Sequence, residues 1–162
     1  MLNKLESDPF YARGLRFSCT RCSSCCRFES GFVFLSEKDA SLLGSALNME
    51  FHEFSKAYCR WIPSINGEHQ LSLKEKTNYD CIFWSEEPDE GCMVYDKRPL
   101  QCRAFPFWES LLKNKNSWKT AAQDCPGMNK GTFYSQNAIY KWLSMRQMEP
   151  IISKAKIPEG EA

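Results

Sequence analysis

The sequence predicts a small, irregular α+β fold of short strands, hairpins and a few helices. The chain has 162 residues, enough for one hydrophobic core but few for two domains. Stretches of alternating apolar residues are mixed with stretches of helical spacing, and all of them are short. We therefore expect a single domain over residues 1–162. Within it we expect a cysteine-rich region at 17–130, a C-terminal helix at 131–153 and a frayed tail at 154–162.

The first elements surround a cluster of cysteines. β-branched and aromatic residues predict brief strands at 14–18 and 31–35, with the cysteines in the loop between them. Ser36-Glu-Lys-Asp39 has the form of a capping box and precedes leucines at helical spacing. A helix over 37–47 is the prediction.

A second helix and a hairpin follow. Phe51, Phe54 and Tyr58 fall on one face of a predicted helix over 50–58. From residue 61 to 73 the apolar residues recur with period two around Asn66-Gly67, a pair typical of tight hairpin turns.

The next segments carry further cysteines. Residues 81–84 and 92–95 are predicted as two short strands, each beginning with a cysteine and joined by an acidic loop. Pro99 suits the start of a helical turn over 100–104, which would carry Cys102.

The last third of the chain is predicted to hold a hairpin and a helix. Residues 107–112 and 118–122 are expected to pair as strands around a turn at 113–116. The spacing of apolar residues over 133–148 predicts an amphipathic C-terminal helix that packs on the core.

Charge and hydropathy exclude several classes of protein. The formal net charge is +1 and the mean hydropathy is −0.50. These values indicate neither a surface that binds polyanions nor a segment that spans a membrane. The residues after Met1 contain no apolar secretory core, so we expect a cytoplasmic protein whose thiols stay reduced.

Eight of the nine cysteines share a pattern that indicates metal binding. They are Cys19, Cys22, Cys25, Cys26, Cys81, Cys92, Cys102 and Cys125. Cys59 stands apart among aromatic residues and is expected to be a buried structural thiol.

The spacing favours two groups of four ligands. Cys19-x-x-Cys22 is typical of a knuckle that wraps one metal. The Cβ atoms of adjacent Cys25 and Cys26 are expected to diverge, so these two should serve different centres. The groups would form either two zinc sites or a combination that includes an iron-sulfur cluster.

The iron-sulfur alternative has support of its own. Cys19, Cys22 and Cys25 with a remote Cys125-Pro126 follow the three-plus-one supply of ligands to a [4Fe-4S] cluster. The remaining four cysteines would then hold a second metal.

Two arginines are candidates to compensate thiolate charge. Arg98 and Arg103 flank Cys102 in the chain. They could lie around the metal, or they could form ordinary surface ion pairs.

Three stretches are shared with a known family. They are Cys19-x-x-Cys22-x-x-Cys25-Cys26, Cys92-Met-Val-Tyr-Asp-Lys-Arg98-Pro-Leu-Gln-Cys102-Arg103-Ala-Phe-Pro-Phe107 and Cys125-Pro-Gly127. Over residues 17–130 the chain thus resembles the YkgJ-type cysteine cluster family, described as a zinc- or iron-chelating domain. The resemblance implies that the eight cysteines are the ligands and that Cys59 is extra. Members commonly carry Gly where this chain has Ser23, so the positive φ of that knuckle must be reached without glycine.

The prediction is a cytoplasmic protein that chelates zinc or iron, with the metal at least partly structural and metal ions as its partners. A similar cysteine region occurs in flagellin lysine methylases, so an iron-sulfur redox or methylation-associated accessory role is the alternative. The chain has no dinucleotide-binding glycine motif, however, and no catalytic residue is assigned. A zinc-module nucleic-acid binder is a second alternative, disfavoured by the near-neutral charge.

Overall fold

The computed structural model describes residues 8–87 and 91–155. In chain order the elements are β1 (Leu15–Phe17), α1 (Glu37–Ala46), α2 (Phe51–Tyr58), β2 (Cys59–Pro63), β3 (His69–Leu73), β4 (Trp84–Ser85), β5 (Gly91–Cys92), a 3₁₀ turn (Tyr95–Lys97), α3 (Leu100–Ala104), α4 (Glu109–Leu112), α5 (Lys115–Asp124), β6 (Met128–Tyr134), α6 (Gln136–Met148) and β7 (Ser153–Lys154). The predicted α+β class is confirmed by this mixture of helices and short antiparallel strands.

The described chain divides into two compact units. Unit 1 comprises residues 8–22 and 106–144, and unit 2 comprises 23–87, 91–105 and 145–155. The domain boundaries expected from the sequence stay predictions. Beyond residue 155 the expected frayed tail lies outside the described residues. None of the helices in the described parts of the chain is long and apolar enough to cross a bilayer.

Unit 1 is built on a two-stranded antiparallel sheet. β1 pairs with β6, with an irregularity in the register between Arg16 and Phe17. Phe17 and Trp118 are buried against Phe107, with ring centroids 6.4 and 6.3 Å from that of Phe107. The strand predicted at 14–18 is confirmed.

Unit 2 contains a three-stranded antiparallel sheet with β3 between β2 and β7. The predicted hairpin and the helices α1 and α2 are confirmed. Apolar side chains from these elements and from the loops beside them form one core, whose buried members include Leu35, Leu43, Phe54, Leu71, Leu73 and Phe83. Local chemistry accounts for the start of α1, because Ser36 and Asp39 exchange the two hydrogen bonds of a capping box.

The hairpin predicted at 107–112 and 118–122 is wrong. These residues contribute to α4 and α5. Asn114, expected in the turn, instead caps α5, since its side-chain oxygen accepts a hydrogen bond of 2.9 Å from the backbone N–H of Ser117.

Three strand predictions need smaller corrections. Residues 31–35 form one isolated bridge, between Phe34 and Ser72, in place of a strand. The strands β4 and β5 have two residues each, so Cys81 precedes its strand and Cys92 ends the other, whereas both were expected to begin strands.

Candidate metal centre

The eight predicted ligands occur in both units. In unit 1, Cys19 and Cys22 lie in the loop after β1, and Cys125 directly follows α5. Unit 2 holds the other five. They are Cys25 and Cys26 in a turn, Cys81 before β4, Cys92 at the end of β5 and Cys102 in α3.

The adjacent cysteines 25 and 26 do not diverge as expected. Their sulfur atoms lie 3.6 Å apart, within hydrogen-bond distance. The chain turns tightly here, because the N–H of Cys26 donates to the carbonyl of Ser23 over 2.8 Å and Ser23 has φ of 64°. The expectation that the two side chains diverge is therefore wrong, while the assignment of the two cysteines to different centres stays a prediction. The left-handed conformation expected of a glycine is adopted by Ser23 itself.

The two adjacent thiols influence each other's ionisation. The hydrogen bond from Cys26, opposed by burial and assisted by the positive charge of Arg98, lowers the pKa of Cys25 to about 7. The pKa of Cys26 is raised, first by that hydrogen bond to Cys25 and then by burial. One thiolate therefore forms near neutral pH, and the second proton is held more tightly.

The thiols of unit 2 lie close enough to influence one another. Burial, with smaller contributions from the charges of Cys92 and Cys25, raises the pKa of Cys81 to about 11. Cys102 has a raised pKa through burial first and then through Cys81, Cys25 and Cys92. Burial likewise raises the pKa of Cys92, with a further contribution from Cys25. Neighbouring thiolates carry like charges and therefore disfavour each other's ionisation. A bound metal cation would neutralise these charges.

Backbone N–H groups point at three of the sulfurs. Arg21 donates to the sulfur of Cys19 over 3.4 Å. The backbone N–H of Phe83 donates to the sulfur of Cys81, and that of Val94 donates to the sulfur of Cys92. In all three cases the donor lies two residues after the cysteine. Such donors offset thiolate charge in metal knuckles.

The turn that carries Cys81 is anchored in the core. Phe83 is 1% exposed and stacks on Tyr58, with ring centroids 5.0 Å apart. Tyr58 in turn stacks on Phe54 of α2 at 5.8 Å. The apolar side chain next to the thiol thus fixes the loop on the helix.

The two candidate arginines lie in different surroundings. The charge of Arg98 lowers the pKa values of Cys25, Cys92 and Cys102. Arg103 instead has a guanidinium nitrogen 3.9 Å from a carboxylate oxygen of Asp39 and 3.9 Å from one of Glu149. These charge effects favour Arg98 as the residue that compensates thiolate charge.

Asp39 contributes a contact that the sequence did not reveal. Its Oδ1 accepts a hydrogen bond of 2.8 Å from the N–H of Leu100, at the start of the helix that carries Cys102. The capping box signalled only the local role of this carboxylate, and no pattern links it to a helix 61 residues away.

In unit 1 a close backbone approach brings the segment of Cys19 to that of Cys125. The N–H of Ser18 donates to the carbonyl of Gly127 over 3.2 Å. A Cβ atom built on Gly127 would overlap the carbonyl oxygen of Ser18. Glycine is therefore required after Cys125-Pro126 if the two segments are to meet.

Cys59 lies in the core of unit 2, as predicted. It is 6% exposed, and burial raises its pKa to about 12. Its surroundings suit a structural thiol.

The donor chemistry of unit 2 fits a thiophilic ion, because it combines several thiols, N–H donors to sulfur and an arginine, Arg98, whose charge favours the thiolates. Within residues 8–87 and 91–155, however, no three His, Cys, Asp or Glu side chains are arranged in a group that could hold a metal ion. The thiols of unit 2 thus influence one another's ionisation but are not arranged as a coordination shell in the described residues.

Comparison with known proteins identifies the class. Residues 18–126 match a family model described as "Putative zinc- or iron-chelating domain", so the chain is a cysteine-cluster protein of that class. It belongs to the CxxCxxCC family, and the resemblance drawn from its motifs is confirmed. The chain is also 31% identical over 151 residues to the uncharacterized protein MJ0661 of Methanocaldococcus jannaschii, an alignment that covers 90% of this chain and 76% of that protein. No solved structure matches the chain.

Proposed function

We propose that the protein binds zinc or iron through its cysteine thiolates, and that the metal stabilises the fold. One observation carries the proposal. In unit 2, the sulfurs of Cys25 and Cys26 lie 3.6 Å apart, and the N–H of Cys81 donates to the carbonyl of Cys26 over 2.7 Å. In agreement with this arrangement, the charge of Cys25 raises the pKa values of Cys81, Cys92 and Cys102. A divalent cation would remove this repulsion and bind the thiolates together.

The proposed ligands form two groups, one in each unit. Cys25, Cys26, Cys81, Cys92 and Cys102 form the group of unit 2, and Cys19, Cys22 and Cys125 form the group of unit 1. When bound, the metal supplies a positive charge that holds thiolates together. The residues of the chain do the rest: Arg98 favours loss of the thiol protons, and the N–H groups of Phe83 and Val94 orient two of the sulfurs.

The two groups differ from the division expected from spacing alone. That division assigned Cys25 to the ligands of a [4Fe-4S] cluster together with Cys19, Cys22 and Cys125. The contact between the sulfurs of Cys25 and Cys26 favours a common centre for these two. Single metal ions held by thiolates are therefore the favoured occupants, and a cluster is the alternative outcome of the experiment. Reduced thiols are required in either case, which suits the cytoplasm.

Anaerobic purification followed by elemental analysis tests the proposal. We expect zinc or iron bound to the protein, without acid-labile sulfide. Iron with equimolar sulfide and broad visible absorption would establish an iron-sulfur cluster instead. A protein with neither metal, and with no affinity for added zinc under reducing conditions, would contradict the proposal.

Removal of the metal tests its structural role. Because a thiolate site can supply roughly 10 kcal/mol of folding free energy, the chelated protein should lose cooperative unfolding or melt at much lower temperature. Circular dichroism under reducing conditions measures this, and restoration by added metal is the control. An unchanged melting transition after complete removal would show that the fold does not depend on the metal.

A further inference from the structure

We infer that Arg27 is a positioning residue, which fixes the chain segments of Cys26, Cys81 and Cys92 relative to one another before a metal binds. The inference rests on the proposed function. It concerns a residue outside the ligand set and outside the pair of arginines that the sequence indicated.

The first contact joins the segments of Cys26 and Cys81. Arg27 directly follows Cys26, and Asp80 directly precedes Cys81. The Nε of Arg27 donates to Oδ1 of Asp80 over 3.1 Å. Beside this ion pair the N–H of Cys81 donates to the carbonyl of Cys26 over 2.7 Å. One side-chain bond and one backbone bond thus hold two proposed ligands in register.

The carboxylate in this pair is firmly held. Asp80 is only 2% exposed. Its second oxygen, Oδ2, accepts a hydrogen bond of 2.9 Å from the side-chain amide of Asn78, whose own oxygen accepts from the N–H of Asp80 over 3.2 Å. A buried carboxylate with both oxygens engaged gives Arg27 a fixed anchor, unlike a surface ion pair that water screens.

The second contact extends the arrangement to Cys92. The Cζ atom of Arg27 lies 3.5 Å from the centroid of the Trp84 ring. Trp84 is 3% exposed, and in the β4–β5 pair it stands directly opposite Cys92. A desolvated guanidinium on an indole face is a favourable cation–π contact with a defined geometry. Arg27 is therefore in contact with a residue next to, or paired with, each of the other two cysteines.

The role is geometric and distinct from that of Arg98. The charge of Arg27 is balanced by Asp80, so it is committed to an ion pair within the protein. Arg98 acts on the thiols through its charge. Arg27 acts through Asp80 and Trp84, which hold the backbone from which the sulfurs project.

Zinc affinity of the full-length protein tests this inference. Arg27→Lys retains the charge but loses the planar group that both pairs with Asp80 and stacks on Trp84. Asp80→Asn removes the anchor while keeping its shape. Competition with a chromophoric zinc chelator, under reducing conditions, should show affinity reduced by about 10- to 100-fold in each variant.

Lys154→Gln is the control. Lys154 lies over the ring of Trp61 at 4.0 Å, a cation–π contact in the same unit. Neither residue pairs with a proposed ligand or stands next to one in the chain. This variant should keep the zinc affinity of the natural protein, whatever it does to stability.

A second readout does not need metal. Hydrogen exchange of the Cys81 amide in the metal-free protein reports the bond to the carbonyl of Cys26. The exchange should accelerate in Arg27→Lys and Asp80→Asn but not in Lys154→Gln. If the natural protein binds no zinc, the proposed function fails. The exchange experiment still tests whether Arg27 holds the segments of Cys26 and Cys81 together. Zinc affinity and amide exchange that stay unchanged in both variants, or that change equally in the control, would overturn the inference.

Discussion

Asp39 and Leu100 are joined by a hydrogen bond of 2.8 Å from the backbone N–H to Oδ1 of the carboxylate. The same side chain accepts hydrogen bonds at its Oδ2 from the N–H and the hydroxyl of Ser36, over 3.0 and 2.9 Å. One buried carboxylate therefore caps α1 and also fixes the first residue of α3, the helix that carries Cys102.

Asp39→Ala should therefore be strongly destabilising. It leaves three donors at a buried position without their acceptor, which we expect to lower the free energy of unfolding by about 3 kcal/mol. Glu53→Ala is the control, because Glu53 has the same capping-box position in α2 but is exposed. It should cost no more than about 1 kcal/mol. Urea unfolding of both variants measures the difference, and equal losses would contradict this account of Asp39.

Gly127→Ala should disrupt the loop of Cys125. The added methyl group would overlap the carbonyl oxygen of Ser18, so the backbone must move at a cost of about 1–3 kcal/mol. Gly31→Ala is the control, since no atom lies within 4 Å of a Cβ built there. We expect its urea midpoint to stay the same or to rise slightly. A midpoint for Gly127→Ala that matches this control would rule out the close approach.

Ser23→Gly should stabilise the turn before the adjacent cysteines. Ser23 has φ of 64°, a conformation that costs an L-residue roughly 1–2 kcal/mol and glycine nothing. After the entropy that glycine adds to the unfolded chain, a net gain of about 0.5–1 kcal/mol is expected. Ser41→Gly, exposed within α1, should have the opposite sign. Thermal unfolding compares the two, and a loss of stability at position 23 would refute the prediction.

Thiol reactivity should separate the cysteines of the metal-free protein. With a pKa of about 7, Cys25 is about half thiolate at neutral pH, whereas Cys81 with a pKa of about 11 is almost wholly protonated. Iodoacetamide at pH 7 should therefore modify Cys25 first, and Cys59 should stay unmodified in the core. Peptide mass spectrometry measures the order. Bound zinc should protect Cys25, and uniform labelling of all three would be inconsistent with these pKa values.

The stability of the metal-free protein should also fall in alkali. Cys81 has a folded pKa above the ordinary value of 9.0, so its contribution is complete below pH 9 and is lost as the pH rises through about 11. Cys92 and Cys102 shift in the same direction. Cys25 has the opposite sign, and its contribution is lost as the pH falls through about 7. Urea unfolding at pH 8 and pH 11 should show the loss, and stability that rises with pH would contradict it.

Local signals predicted much of the fold. The capping box at Ser36 and Asp39 and the turn at Asn66-Gly67 act within a few residues, and α1 and the β2–β3 hairpin form where they indicate. The error at Asn114 has a physical origin, because the same residue type favours turns and helix starts through the same side-chain oxygen. Its place at the start of α5 depends on burial of Trp118, which no local pattern reveals.

For the candidate metal site, too, the sequence predicted some features and could not predict others. Cysteine spacing indicated the candidate ligands, and the family resemblance implied the positive φ that Ser23 adopts. The spacing could not reveal that Cys25 and Cys26 turn their sulfurs toward each other, because that depends on backbone torsions between them. Nor could it reveal Asp80, which meets Arg27 across 53 residues of chain.

Each compact unit is assembled from segments that are far apart in the chain, and this has a consequence for synthesis on the ribosome. The sheet of unit 1 needs β6, and β7 of unit 2 adds to its sheet only at Ser153. Cys19 through Cys102 therefore leave the ribosome before either unit can close. During this interval the thiols of the nascent chain are exposed to oxidants and to competing metals. A reducing environment therefore matters most during synthesis, before the chain has folded.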